Sequence, residues 1–76
     1  MGKTYDYLLK IENDPNFLTF LQKGIISLSI LNKKVYYEKY KFYLKNNNHS
    51  QAVTNAAEDL NKSDKTIKRA IHFMEN

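Results

Sequence analysis

The chain has 76 residues, a formal net charge of +4 and no cysteine. This length predicts one small domain, and the lack of cysteine excludes disulfides and thiolate metal sites. The longest apolar run, Gly24 to Leu31, is too short to span a bilayer, and the first six residues lack the apolar stretch of a signal peptide. The sequence therefore predicts a soluble, cytoplasmic protein with no membrane segment, and it indicates no cofactor.

The first part of the chain has the pattern of short helices. Only two glycines and one proline interrupt the sequence, and the alternation typical of strands is absent, which favours an all-α fold. A first amphipathic helix is predicted over residues 5–12. Asp14 and Pro15 then form a start signal, with Asp as N-cap and Pro at the first helical position, and Gly24 is the expected stop.

A long third helix is predicted to begin at Ser27 or Asn32 and to end near residue 45. Its apolar residues recur at spacings of three, four and seven, and this stripe is expected to face the core: Leu28, Leu31, Val35 and Phe42. Three tyrosines widen the stripe: Tyr36, Tyr40 and Tyr43. Charged residues occupy the side predicted to face solvent: Lys34, Glu38, Lys41 and Lys45.

Two further helices are separated by the polar break Asn61-Lys62-Ser63. Ser50 is the expected N-cap of the first, over residues 51–60, and Ser63 or Asp64 caps the second, which runs to about residue 75. Asn61 is able to take the left-handed conformation that such a break needs. Both helices have an apolar face of the same spacing: Val53, Ala56, Ala57 and Leu60 in the first, Ile67, Ala70, Ile71 and Met74 in the second.

Helices this short are stable only when packed on partners. The sequence therefore predicts a single domain in which residues 32–76 form a trihelical unit and residues 1–31 form an N-terminal helical extension. Four aromatics of that extension exceed what one short helix can hide, so they are expected to find partners in the core or in a second chain: Tyr5, Tyr7, Phe17 and Phe20.

Residues 53–72 resemble the helix-turn-helix of phage Cro and repressor proteins and of small bacterial regulators. Ala57 matches the small residue where the two helices cross, and Leu60 matches the apolar residue that ends the first helix. The inward residues of the recognition helix are matched by Ile67, Ala70 and Ile71. The chain departs from the pattern twice, since Asn61 stands where glycine is usual and Lys62 where an apolar residue is usual. The resemblance covers about a third of the chain and implies a trihelical DNA-binding fold.

The resemblance implies that the last helix enters the major groove of double-stranded DNA. The side of this helix opposite its apolar face carries four long donors, Lys65, Lys68, Arg69 and His72. A phosphate is expected at the start of the preceding helix, where short polar groups meet a positive helix end: Ser50, Gln51 and Thr54. The leading hypothesis is a sequence-specific transcriptional regulator of phage or mobile-element type, acting as a dimer on a palindrome or beside a partner protein.

Two other functions remain open at the level of sequence. The aromatic long helix and the zero charge sum of residues 50–76 favour a helical protein-interaction module or regulator subunit that keeps the shape without binding DNA. The tyrosines at 36, 37, 40 and 43 suit stacking on single-stranded bases. The sequence has no nucleophile–base constellation and no glycine-rich phosphate loop. Two isolated histidines without cysteine do not indicate a metal site. The protein is therefore not expected to be an enzyme.

Overall fold

The structure, a computed structural model, describes residues 2–24 and 26–76. Within these residues the chain is all-helical, as the sequence predicts, and no strand is present. The helices in chain order are α1 (Lys3–Glu12), α2 (Phe17–Gln22), α3 (Leu28–Leu44), α4 (His49–Leu60) and α5 (Asp64–Glu75). No helix among the described residues is both long enough and apolar enough to cross a membrane.

The core lies where α3, α4 and α5 pack on one another, and α1 packs against α5. Leu8 of α1 belongs to the same cluster of buried residues, and the hydroxyl of Thr4 donates a hydrogen bond to the carbonyl of Asn76. Asn32, the first residue of the predicted trihelical unit, lies inside α3. The division predicted between residues 31 and 32 therefore cuts a continuous helix, and α1 shares the core of the last three helices.

Two of the predicted helix caps are confirmed. The hydroxyl of Ser27 accepts a hydrogen bond from the backbone N–H of Ile30, and that of Ser63 accepts one from the N–H of Thr66, each at 3.2 Å. The predicted stop at Gly24 also holds. This glycine has φ of +76°, and its N–H donates to the carbonyl oxygen of Leu21 at 3.1 Å.

The predicted starts of α2 and α4 are wrong. Asp14 accepts a hydrogen bond from the N–H of Asn16 at 2.8 Å and so closes a turn, and α2 begins only at Phe17. Helix α4 is capped by Asn48, which accepts from the N–H of Gln51 at 2.9 Å, and not by Ser50. Asparagine and serine are equally good caps, so the local sequence did not distinguish them.

The face that α3 turns to the core also differs from the prediction. Tyr40, which belongs to the predicted stripe, is buried at 5% exposure, but so is Tyr37, which does not belong to it, at 2%. By contrast, Leu28, Val35 and Phe42 are 69%, 49% and 60% exposed. The apolar stripe predicted to point inward therefore points largely outward. The tyrosines are buried at little cost because each hydroxyl has a partner at the edge of the core: Glu75 for Tyr37 and His49 for Tyr40.

The charged side of α3 is partly covered rather than solvated. The Lys34 ammonium lies 2.9 Å from a carboxylate oxygen of Glu12 in α1 and 3.3 Å from one of Glu38. The hydroxyl of Tyr5 donates a 2.7 Å hydrogen bond to the same Glu38. Helix α1 thus lies along this side of α3 and holds it through polar contacts.

Candidate nucleic-acid interface

The connection between α4 and α5 is a tight three-residue turn. Asn61 has φ of +54° and ψ of +48°, the left-handed conformation expected of it. The N–H of Lys62 donates a hydrogen bond to the carbonyl oxygen of Ala57 at 2.9 Å. The N–H of Asn61 donates one to the carbonyl oxygen of Glu58 at 3.2 Å. These bonds satisfy the last carbonyls of α4, and Ser63 then caps α5. The reversal between the two helices is therefore fixed by backbone hydrogen bonds and one side-chain cap.

The inward faces of both helices are placed as predicted. Ala56 and Ala57 of α4 are buried, and Leu60 is half-buried against the core. The four apolar residues of α5 are all buried: Ile67, Ala70, Ile71 and Met74. This burial fixes the rotation of α5 about its axis, and so it fixes which side chains the helix presents to solvent.

The outward face of α5 carries the four predicted donors. Lys65, Lys68, Arg69 and His72 are all exposed. At about 100° per residue, three of them lie within a sector of about 60° opposite the core, and Lys68 lies about 60° to one side of Lys65. None of the ion pairs between described residues involves any of these four side chains. Their donors are therefore available to an external partner.

The predicted phosphate contacts at the start of α4 are only partly placed for that role. Ser50 and Gln51 are exposed and Thr54 is half-buried. The side chain of Asn48 already accepts a hydrogen bond from the backbone N–H of Gln51. The side-chain amide of Gln51 donates a hydrogen bond to the side chain of Asn55 at 2.8 Å. The hydroxyl of Thr54 donates to Asp64 at 3.4 Å. Thr54 therefore ties α4 to the first turn of α5, and Ser50 keeps an exposed hydroxyl.

Two acidic residues of the last two helices, Asp59 and Glu75, form hydrogen bonds with tyrosines of α3. Asp59 accepts a 2.7 Å hydrogen bond from the hydroxyl of Tyr43 and lies 3.3 Å from the ammonium of Lys39. These two contacts, that of Tyr43 first, hold the pKa of Asp59 below its usual value. The carboxylate of Glu75 accepts a hydrogen bond from the hydroxyl of Tyr37. Of the four carboxylates in residues 50–76, Asp59 and Glu75 are thus engaged by α3, whereas Asp64 accepts from Thr54 of α4 and Glu58 is exposed.

A groove that the sequence did not reveal lies between the first halves of α3 and α5. Its volume is about 370 Å³. The groove between α3 and α5 is lined by Ser29, Asn32, Lys33, Tyr36, Thr66 and Arg69. Lys33 and Arg69 are 36 positions apart in the chain, so no local pattern could have paired them.

The tyrosines of α3 are poorly placed to stack on single-stranded bases. The rings of Tyr37 and Tyr40 are buried, and Tyr36 and Tyr43 are half-buried against the same core.

Comparison with known proteins adds no relative, since no family model, no curated protein and no solved structure matches this chain. The function of the protein is therefore inferred from the geometry of α4 and α5.

Proposed function

We propose that this protein is a sequence-specific double-stranded DNA-binding protein, a small transcriptional regulator of phage or mobile-element type that acts by binding and not by catalysis. Helix α5 would be its reading element, joined to α4 as in a helix-turn-helix. The observation that carries the proposal is the two-sided character of α5. Its apolar side is wholly buried, and its outer side carries four exposed long donors that take part in none of the ion pairs between described residues.

The dimensions and chemistry of α5 suit the major groove. An α-helix with its side chains is about 10–12 Å across, and the major groove of B-DNA is about 12 Å wide. Arginine and lysine donate to O6 and N7 of guanine, the commonest base-specific contact. The exposed hydroxyl of Ser50 at the start of α4 would contact the backbone and set the orientation of the protein.

The proposal is tested by selecting bound duplexes from a random pool and measuring affinity for the enriched site. The triple variant Lys65→Ala/Lys68→Ala/Arg69→Ala should fold normally and lose the selected site. A matched control removes three exposed lysines that lie outside α5, in Lys10→Ala/Lys23→Ala/Lys45→Ala. Both variants lose the same charge, so only a local role of α5 predicts a difference between them. A folded α5 variant that binds the selected site as tightly as the parent would exclude α5 as the reader.

Self-association through α3 is a second proposal, and a specific observation favours it. Leu28, Val35 and Phe42 are exposed and seven residues apart, so they form one apolar line along α3. The line is symmetric about Val35. A second copy packed antiparallel would therefore place Phe42 against the partner's Leu28 at both ends, as a two-fold interface requires. A dimer of this kind would present two copies of α5 to a palindromic site.

Sedimentation equilibrium tests the dimer. Val35→Asp should convert the parent dimer to a monomer, because it buries a charge at the centre of the interface. Leu18→Asp is the matched control, since Leu18 is 68% exposed on α2 and lies outside the apolar line. A parent that stays monomeric at high concentration would contradict this arrangement. A parent that dimerises but binds no duplex would favour the protein-interaction module over the DNA-binding function.

A further inference from the structure

We infer that the groove between α3 and α5 holds a phosphate of the DNA backbone, bound by Lys33 together with Arg69. This inference rests on the proposed DNA-binding function and extends it to α3, a helix for which the sequence predicted no contact with double-stranded DNA. It also assigns the two sides of α5 to the two strands that border the major groove.

The composition of the groove suits a phosphodiester. Lys33 and Arg69 supply two positive charges, and the remaining lining residues are uncharged side chains that can donate hydrogen bonds: Ser29, Asn32, Tyr36 and Thr66. No carboxylate is among these lining residues. A phosphate entering the groove would therefore meet donors and positive charge without a competing anion.

Lys33 is held at this groove by two contacts that leave its charge unneutralised. Its ammonium donates to the hydroxyl of Ser29 at 3.2 Å and lies 5.2 Å from the centre of the Phe73 ring. Neither partner is an anion, and Lys33 takes part in none of the ion pairs between described residues. By contrast, Lys34 and Lys39 of the same helix are paired with carboxylates. Lys33 is thus oriented and still available for a phosphate.

The groove lies beside the reading face of α5, on the side away from α4. Measured around α5 at about 100° per residue, Thr66 and Phe73 lie about 80–100° from Lys65 in one direction, and Asp64 lies about 100° in the other. Asp64 is the residue that Thr54 of α4 contacts. The outer line of α5 is therefore flanked by α4 on one side and by the groove on the other. A helix in the major groove has a phosphate backbone on each side, so each flank meets one strand.

The first experiment compares two lysines of α3 that have similar surroundings. Lys33→Gln removes the groove cation, and Lys41→Gln is the control, because Lys41 also lies over an aromatic ring, Tyr37, at 5.9 Å. Binding is titrated at several salt concentrations with the selected duplex and a scrambled one. Lys33→Gln should weaken both duplexes by the same factor and reduce the salt slope by about 0.9, the value for one phosphate contact. Lys41→Gln should match the parent, and Lys33→Arg should restore most of the affinity.

Phosphate-ethylation interference locates the contact directly. With the parent, ethylation should block binding at phosphates on both strands that border the site, and Lys33→Gln should lose the sensitivity on one strand only. Melting curves of both glutamine variants separate a binding defect from a folding defect. If Lys33→Gln unfolds, Lys33→Met carries the test, since it keeps an apolar side chain against Phe73 and removes the charge.

The possible failures are distinguishable. If the parent selects no duplex, the proposed function fails and this inference fails with it. If alanine at Lys65 weakens binding while Lys33→Gln keeps the parent's affinity and salt slope, the inference alone is overturned. Weakening of only the selected duplex would make Lys33 a base reader and would also overturn it. So would binding of inorganic phosphate in the groove of a parent whose DNA affinity does not depend on Lys33.

Discussion

The hydroxyl of Tyr37 donates a 3.1 Å hydrogen bond to the carboxylate of Glu75 and so joins the middle of α3 to the last turn of α5. The ring of Tyr5 from α1 meets Tyr37 edge-on, with centroids 5.1 Å apart. Burial, assisted by the hydrogen bond to Glu75, raises the pKa of Tyr37 to about 12. Three helices meet at this one phenol, and the C-terminal end of the proposed reading helix is held there.

Tyr37 should make the fold sensitive to alkali. Its pKa is near 10.0 in the unfolded chain and about 12 in the folded protein. The stabilising contribution is complete below pH 10. It is lost as pH rises from 10 to 12, because only the unfolded state releases the proton over that range, and the loss is on the order of 2 kcal/mol.

The variant Tyr37→Phe should reduce the alkaline loss of stability but not abolish it, because burial also raises the pKa of Tyr5 and of Tyr40. At pH 8 it should lower the free energy of unfolding by about 1 kcal/mol for the missing hydrogen bond. Urea unfolding at pH 8 and pH 11 measures both effects. Tyr7→Phe is the control, since Tyr7 is 65% exposed, and it should keep the parent's alkaline loss. An equal alkaline loss in Tyr37→Phe and the parent would show that other groups cause it.

Two leucines of the N-terminal segment should differ sharply in their contribution to stability. Leu8 is 5% exposed within the core, whereas Leu18 is 68% exposed. Leu8→Ala should lower the free energy of unfolding by about 2–5 kcal/mol, because it leaves a cavity. Leu18→Ala should change it by no more than about 0.5 kcal/mol. Chemical denaturation measures both, and equal effects would mean that α1 does not share the core.

Asn61 should be replaceable by glycine but not by alanine. Its left-handed backbone, with φ of +54°, costs an L-residue with a plain Cβ roughly 1–2 kcal/mol. Asn61→Ala should therefore lower the melting temperature, and Asn61→Gly should leave it close to that of the parent. The pair controls for loss of the asparagine side chain, which both variants lack. Equal destabilisation by both would assign the effect to that side chain and not to the backbone.

Single substitutions on α5 should separate base contacts from phosphate contacts. Lys65→Ala should cost roughly 1–3 kcal/mol in binding and relax specificity at one base pair, because Lys65 lies next to the outermost line of the helix. Lys68 lies to one side, so Lys68→Ala should weaken all sequences alike and flatten the salt slope. Titrations against the selected and scrambled duplexes measure both. Equal weakening of both duplexes by Lys65→Ala would place Lys65 on the backbone instead.

Much of the local structure followed from the sequence. The stops at Gly24 and Asn61 and the caps at Ser27 and Ser63 depend on hydrogen bonds within about one turn of chain, and such short-range chemistry is visible in the residues themselves. The inward faces of α4 and α5 were also predictable, because small and aliphatic residues repeat there at the helical period. Once the buried face of α5 was predicted, the donors on its opposite side were predicted to be exposed.

The tertiary structure decided what depended on distant partners. Hydrophobic periodicity assigned Leu28, Val35 and Phe42 to the core, yet all three are exposed, and α3 buries Tyr37, which that periodicity left out, beside the predicted Tyr40. A phenol can be buried when its hydroxyl finds an acceptor, and the acceptor of Tyr37 lies 38 positions away, at Glu75. Lys33 and Arg69 likewise line one groove only because α3 and α5 pack side by side. Backbone capping is settled within a turn of helix, whereas burial of a polar aromatic and the pairing of cations are settled only when helices dock.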